Sequence, residues 1–358
     1  MNTQTKKRIE YLDALRGFTM ILVIINHVAA YNLGVDVYSD GNFHFYLRLF
    51  RMPLFFFVSG FVFYKYDFFE STSKIFSFIK KKIPVQIISP FLFLLCYIFY
   101  RDLPLTDSIC SYSKAGYWFT FALFNYFLIY IVLGVITKAM KVKEDYRLLL
   151  MILIGVFLYL FNVKDNVLKL FDIPVSVLDL LGAGRLNYFL FFIIGVIFRK
   201  NFKWFENKLD NSLLIAIATA MFFVVNIIID YDGMNNTLIK AIKLLLALCG
   251  IIICLGFFRK NETFFSQENI VSKSLKFIGK RTLDIYLLHF FFLSYNMPKI
   301  FPLFSEHNLP VPEIACSLFM TFIVIAICLL VGSILRINPT MAHYLFGAKK
   351  TTQIGKQQ

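Results

Sequence analysis

Ten runs of apolar residues, separated by short polar connectors, make up most of the chain. They lie near residues 15–31, 48–65, 84–100, 117–137, 147–162, 186–198, 212–229, 238–258, 282–297 and 314–335. A helix needs ~20 mainly apolar residues to cross a bilayer, and the fifth and sixth runs are short of that length. The pattern predicts an all-α polytopic integral membrane bundle of about ten transmembrane helices. Composition agrees: the 358 residues are 58% hydrophobic with 44 Phe and a mean hydropathy of +0.68, more apolar surface than a soluble core of this length can hide. The charged stretch "TKKRIEYLDALRG" leads into the first run and no small-residue cleavage site follows it, which predicts a retained helix rather than a signal peptide.

A formal net charge of +15 would suit a nucleic-acid binder, but its distribution points elsewhere. With the N-terminus placed in the cytoplasm and sides alternating across ten spans, 27 of the 37 Lys and Arg fall on the inner side, which is the positive-inside bias. Both termini are then cytoplasmic, and the basic excess implies membrane lipid rather than nucleic acid. Inner connectors such as "KIFSFIKKK" and "KAMKVKEDYR" are short and basic. The outer ones hold Asp36, Asp40, Asp102, Asp107, Asp165, Asp172, Asp179, Asp230, Asp232, Glu306 and Glu313, which read mostly as solvated loop residues. The connectors 66–83, 162–185 and 259–281 are too small to fold alone, so residues 1–348 read as one transmembrane domain and 349–358 as a disordered cytoplasmic tail. The six cysteines are scattered, and neither a structural disulfide nor a CxxC metal site is expected.

The first run, "YLDALRGFTMILVIINHVAA", contains polar groups that an apolar span needs a reason to hold. Arg16 and His27 are eleven residues apart, which brings them within about 20° of one helix face and about 16 Å apart along the axis. Asp13 falls on the same side. A one-sided polar stripe of this length suits a substrate with an anionic head at the inner surface and a reactive end at depth. Coenzyme A is such a molecule: its phosphates want Arg or Lys, and its extended arm of about 15 Å reaches a buried imidazole. Histidine is also the natural general base near neutral pH. On spacing alone the opposing reading, in which Arg16 anchors topology and His27 is a hydrogen-bonded core residue, stands equally open.

Four stretches resemble motifs of the membrane-bound acyltransferase family 3. "RIEYLDALRGFTMILVIINH" is similar to the family's opening signature through Leu12, Asp13, Leu15, Arg16, Gly17 and His27. "FRMPLFFFVSGFVFYK" is similar to its second-span signature through Met52 to Phe57, Ser59 and Gly60. "YWFTFAL" resembles its Trp-Phe at the start of a middle span, and "LKFIGKRTLDIYLLH" its late pattern through Gly279, Thr282, Leu283, Tyr286 and His289. The resemblance implies transfer of an acyl group, usually acetyl, from cytoplasmic acyl-CoA to a hydroxyl of a sugar or other acceptor, with Arg16 and His27 linked to activity. The donor is a co-substrate; no permanently bound cofactor or metal is implied. One departure concerns the Arg-rich cluster that leads into the family's third span. Here the stretch is "FIKKKIPVQIISPF", in which Lys80, Lys81 and Lys82 keep the charge without the bidentate fork of arginine. Lys81 and Lys82 are candidates for gripping the nucleotide beside a plain topological role.

Further candidates are weaker. Arg48 and Arg51 precede the second span on the outer side, three residues apart on one face, and could bind an acceptor anion or reach lipid headgroups. Ser59 and Gly60 read as small residues that allow close helix packing. Tyr286 and His289 share a helix face and could line a cavity, whereas Asp284 lies about 140° away from His289 and does not pair with it. Trp118 reads as an interface anchor or a stacking platform for a sugar. His44 is a secondary candidate for acceptor contact, and His307 and His343 look like ordinary loop residues. No phosphate-binding glycine loop, nucleophile elbow or metal-ligand cluster is visible. The reading is an acyl-CoA-dependent O-acetyltransferase of the cell membrane, acting on an envelope, capsular or lipid-linked saccharide. Its Arg16 would hold the donor head, Asp13 would orient Arg16, and His27 would deprotonate the acceptor. A transporter or flippase using His27 as a proton relay, and a saccharide polymerase, are the alternatives.

Overall fold

The computed structural model describes residues 9–39, 41–66, 68–161, 179–231, 233–293 and 310–348. The tail 349–358, the outer-loop acids Asp40, Asp165, Asp172, Asp232 and Glu306, His307 and residues 294–297 of the ninth apolar run lie outside the described residues. Among the described residues the structure is helical and contains no strand. The principal helices are α1 Glu10–Val28, α2 Phe43–Phe63, α3 Thr72–Ile83, α4 Ser89–Arg101, α5 Trp118–Ala139, α6 Glu144–Leu160 and α7 Phe189–Lys200. They continue with α8 Phe202–Leu209, α9 Ser212–Ile228, α10 Asn236–Lys260, α11 Ile270–Lys280, α12 Thr282–Leu288, α13 Pro310–Leu335 and α14 Pro339–Phe346.

Each of the ten apolar runs contains a helix, but among the described residues six stretches are long and apolar enough to cross a membrane unaided: Glu10–Leu33, Phe43–Phe63, Thr72–Arg101, Trp118–Ala139, Asn236–Lys260 and Pro310–Leu335. α8 and α9 form a bent pair, turned by 75°, that would make a seventh. The remaining runs hold shorter helices of 17 residues in α6 and 12 in α7, with Thr282–Phe292 also short.

Two connectors that the sequence suggested were basic loops are helical. α3 starts at a cap in which Ser71 Oγ accepts from the Ser73 amide, and it continues through a π turn at Pro84–Ile88 into α4. α11 starts where the Asn269 side chain accepts from the Ser272 amide. In α11 the apolar residues fall on one face and Lys273, Lys276 and Lys280 on the other; in α3 Lys74, Lys80 and Lys81 are exposed while Lys82 lies on the side of Phe78.

The described residues divide into two compact units, each discontinuous in sequence. Unit 1 comprises residues 1–59, 198–282 and 293–323; unit 2 comprises 60–197, 283–292 and 324–358. In unit 1, α1 packs along α11 more extensively than any other helix pair. The close approach depends on two glycines: a Cβ at Gly17 would sit 2.1 Å from the Leu275 carbonyl oxygen, and one at Gly279 would sit 1.9 Å from that of Asp13. A second apolar cluster joins α2, α9 and α10 through Phe45, Leu49, Ala218, Phe222, Leu246 and Cys249. Arg259 at the end of α10 pairs with Glu206, Asp210 and Glu262, fastening α8 to α10. Unit 2 is built on an aromatic core in which Phe63 stacks on Phe127 at 5.0 Å and meets Tyr130, Phe78 and Phe192 edge-on or tilted. Such pairs are each worth about 0.5–1.5 kcal/mol beyond area burial. Gly60 lets α2 approach the backbone of Phe192, where a Cβ would lie 1.9 Å from the carbonyl oxygen.

Candidate functional site

α1 is almost entirely enclosed. From Tyr11 to Val28 every residue is buried except Arg16, Phe18 and His27. Phe18 points about 200° round from Arg16 and meets Phe258 at 5.5 Å. Arg16 and His27 therefore mark the one face of the helix on which polar groups keep some access. Asp13 is buried, with its carboxylate 3.8 Å from the Arg16 guanidinium. Arg16 Nη2 also donates to Thr282 Oγ1 at 3.4 Å, tying α1 to the start of α12. Two neighbours thus constrain the Arg16 side chain, one charged and one neutral.

His27 stands at a change of helix type. The chain passes from α1 into a π turn over Ala29–Leu33, closed by Gly34 at φ +73°, whose amide donates to the Ala29 carbonyl. The wider turn brings Tyr31 into parallel stacking with His27, with ring centroids 5.9 Å apart and planes 16° from parallel. Single π turns inside helices occur often at functional sites. Arg51 of α2 donates to the Val23 carbonyl at 3.2 Å, the same oxygen to which the His27 amide bonds in an α-helix. Arg48 turns elsewhere, donating to the Val37 carbonyl at 3.2 Å and lying 3.7 Å over the Tyr38 ring. The two arginines do share the start of α2, but one braces the turn carrying His27 and the other braces the loop after it.

A third polar constellation escaped the sequence reading. His44 is fully buried and its Nε2 lies 2.9 Å from Glu313 Oε1. Ser317 donates to the same oxygen at 2.8 Å, and Asn26, next to His27, donates to the His44 carbonyl at 2.9 Å. Glu313, read from the sequence as a solvated outer-loop acid, is 8% exposed. Nε2–H donates to the carboxylate, and Nδ1 is buried with no hydrogen-bond partner among the described residues. The constellation links α1, α2 and α13 within unit 1. The only sequence signal was the pairing of an outer His with an outer acid, and 269 residues separate them.

The other candidates belong to unit 2. Lys81 is exposed, and the Lys82 ammonium lies 5.6 Å from the Phe78 ring and 5.4 Å from the Phe127 ring. Trp118 opens α5, with the Arg185 guanidinium 4.3 Å over its ring and Tyr188 stacked at 6.0 Å, while Arg185 also covers Tyr112 at 3.6 Å. The sequence reading singled out Trp118 but not this surrounding cluster. Tyr286 meets Tyr117 and Phe119 at 6.1 and 5.7 Å and His289 at 6.3 Å. His289 Nδ1 bonds back to the carbonyls of Ile285 and Tyr286 at 3.0 and 2.9 Å, so this nitrogen carries a proton. Asp284 does not pair with His289; it is buried and held in a two-point ion pair with Arg336 at 2.7 and 2.5 Å. Among the sequence-derived candidates, Asp13, Arg16, His27, Arg48 and Arg51 thus share unit 1, and Lys81, Lys82, Trp118, Tyr286 and His289 share unit 2.

Residues 9–330 match a family model described as an acyltransferase domain. The chain belongs to acyltransferase family 3. Neither a search of curated proteins nor one of solved structures returned a match. For an acyltransferase of this family, the geometry explains why Gly17 and Gly279 stand in the motifs that the sequence shares with it. Each lets the backbone of one helix rest on a carbonyl of the other, and together they fix α1, with Arg16 and His27, against α11. The polar face of this membrane acyltransferase can hold an anion at the Arg16 end and accept a proton at the His27 end.

Proposed function

We propose that this acyltransferase moves an acetyl group from cytoplasmic acetyl-CoA to a hydroxyl of an envelope, capsular or lipid-linked saccharide. In this reading it sits in the plasma or inner membrane with ten spans and both termini inside. The observation that carries it is the exposure pattern of α1, in which Arg16 and His27 keep access on one face of an otherwise buried helix. Arg16, held by Asp13, grips the anionic head of the donor. About 16 Å further along the axis, His27 accepts the proton of the acceptor hydroxyl as the oxygen attacks the thioester carbonyl. The C–S bond then breaks, and the coenzyme A thiolate leaves with the proton that His27 returns. General-base catalysis of this kind contributes about 10²–10⁴ in rate. At that distance Arg16 cannot reach the reacting carbonyl, so its loss should act on donor KM more than on turnover.

The test uses membranes containing the full chain, radiolabelled acetyl-CoA and endogenous saccharide. Wild type is expected to label saccharide. The His27→Ala variant, expressed at equal level, is expected to lose transfer by at least 100-fold, whereas Arg16→Ala raises donor KM. Full transfer by His27→Ala refutes the mechanism, and absence of labelling by wild type with every acceptor tried refutes the substrate assignment.

A further inference from the structure

At the start of α1, unit 1 contains a cavity that neither motif nor spacing had indicated. It has a volume of about 400 Å³ and is lined by Glu10, Asp13, Glu268, Lys273, Lys276, Phe277 and Lys280. Lys273, Lys276 and Lys280 are spaced by three and four residues, so α11 presents all three ammonium groups on one face. Two of them already hold anionic oxygen: Lys276 Nζ lies 3.0 Å from a Glu10 oxygen, and Lys273 Nζ lies 3.1 Å from a Glu268 oxygen. Lys280 has no ion-pair partner among the described residues. The Phe277 ring is nearly half exposed beside them.

We infer that this cavity binds the adenosine 3′-phosphate 5′-diphosphate end of the donor, an inference that rests on acyl-CoA being that donor. Three lines of geometry converge on it. The volume is within the range of about 300–1,000 Å³ typical of small-molecule sites. Lysine binds phosphate as a point charge, and the two carboxylates that now face Lys273 and Lys276 stand where phosphate oxygens would. The Lys273–Glu268 pair lies at the surface, where such pairs contribute little and open readily. Finally, Asp13 belongs both to the cavity wall and to the Arg16 ion pair, so the cavity opens at the foot of the face that leads to His27. A donor seated there lays its pantetheine arm along α1 while Phe277 offers a flat surface to the adenine. The 3′-phosphate becomes a recognition element, and the site prefers coenzyme A to dephospho-coenzyme A.

The experiment needs no acceptor. The purified full chain in nanodiscs of zwitterionic lipid is titrated with coenzyme A, dephospho-coenzyme A and adenosine 3′,5′-bisphosphate, and binding is read by calorimetry. Wild type is expected to bind coenzyme A at least fivefold more tightly than dephospho-coenzyme A, and to bind the bisphosphate. Lys280→Gln, which breaks no ion pair, and Lys276→Gln/Lys280→Gln are expected to weaken the bisphosphate at least tenfold and to abolish the preference, with Lys280→Arg restoring it. Coenzyme A binding that is unchanged in both glutamine variants overturns this inference and leaves the donor reading standing. No coenzyme A binding by wild type overturns both. A response of the lysine variants to anionic phospholipid in the disc, with none to the bisphosphate, assigns the lysines to lipid and overturns the inference.

Discussion

Replacing Gly279 by alanine tests whether α1 and α11 are held by backbone contact. The added Cβ would lie 1.9 Å from the Asp13 carbonyl oxygen, and a comfortable C···O approach is about 3.3 Å, so one helix must retreat by roughly 1.4 Å. No side chain can swing away to relieve this, because the obstruction is backbone. Overpacking of this type costs about 1–3 kcal/mol, and a backbone obstacle puts Gly279→Ala near the upper end, roughly 30- to 150-fold in the folded population. The matching control is Gly256→Ala in α10, where the new methyl would meet Cδ1 and Cγ1 of Ile215 at 2.5 and 2.7 Å, side-chain atoms that can move while the backbone stays in place. Gly256 lies inside α10 and gains helix propensity of about 0.8–1.0 kcal/mol, whereas Gly279, in the last turn of α11, gains less, so their difference is the steric cost plus less than about 1 kcal/mol of propensity. Thermal unfolding of the two purified variants side by side, followed by fluorescence in the same detergent, gives the comparison. The Gly279 variant should unfold several degrees lower and, since Asp13 and the Arg16–Thr282 contact move with α1, should lose acyl transfer beyond its loss of folded protein. Equal stability and full transfer in both variants would show that the helices do not meet as described.

Other outcomes follow from single contacts. Tyr31→Leu removes the ring stacked on His27, a contact worth about 0.5–1.5 kcal/mol, and should lower kcat about three- to tenfold, with Tyr31→Phe near wild type; steady-state kinetics showing equal loss in both would refute the stack. Glu313→Leu leaves the buried His44 and Ser317 donors without an acceptor and should destabilise by about 3 kcal/mol, whereas Glu313→Gln keeps an acceptor and should cost about 1 kcal/mol; thermal unfolding separates the two. Asp284→Ala strands the Arg336 guanidinium and should cost about 3–5 kcal/mol in the same measurement. Lys114 lies outside the long apolar helices, its ammonium bonded to the Ile109 carbonyl at 2.9 Å, and burial lowers its pKa against the opposing pull of Asp179. The folded state then binds fewer protons than the unfolded one, so stability rises with pH in the window just below the ordinary lysine value of 10.5. Melting curves across that window should show a rise in wild type that is smaller in Lys114→Met.

What could be read from the sequence divides along a physical line. Hydrophobic period and length are local properties, so every apolar run that was read contains a helix, and the eleven-residue spacing that puts Arg16 and His27 on one face is matched by their shared exposure. The connectors 72–83 and 270–280 read as loops because lysines and serines interrupt their apolar residues; the 3.6-residue period, clearest in 270–280 where the three lysines share one face, marks them as helices. Partners far apart in the chain leave no local trace. Asp284 gives no sign of Arg336, 52 residues on, nor His44 of Glu313. Yet a charge placed where lipid or protein excludes water must find its partner or neutralise. A sequence can therefore state the obligation without naming who meets it, and Glu313 was misjudged as solvated because its run of neighbours, "LPVPEIACS", looked like a loop end. The glycines show the same asymmetry from the other side. Gly17 and Gly279 stood in motifs that marked the family, but their reason appears only when both helices are present, each backbone occupying the space that a side chain on the other would need. A motif residue can thus be conspicuous in one dimension while its cause is purely a contact in three, which is why substitutions at such glycines are the sharpest probes of how α1 is seated.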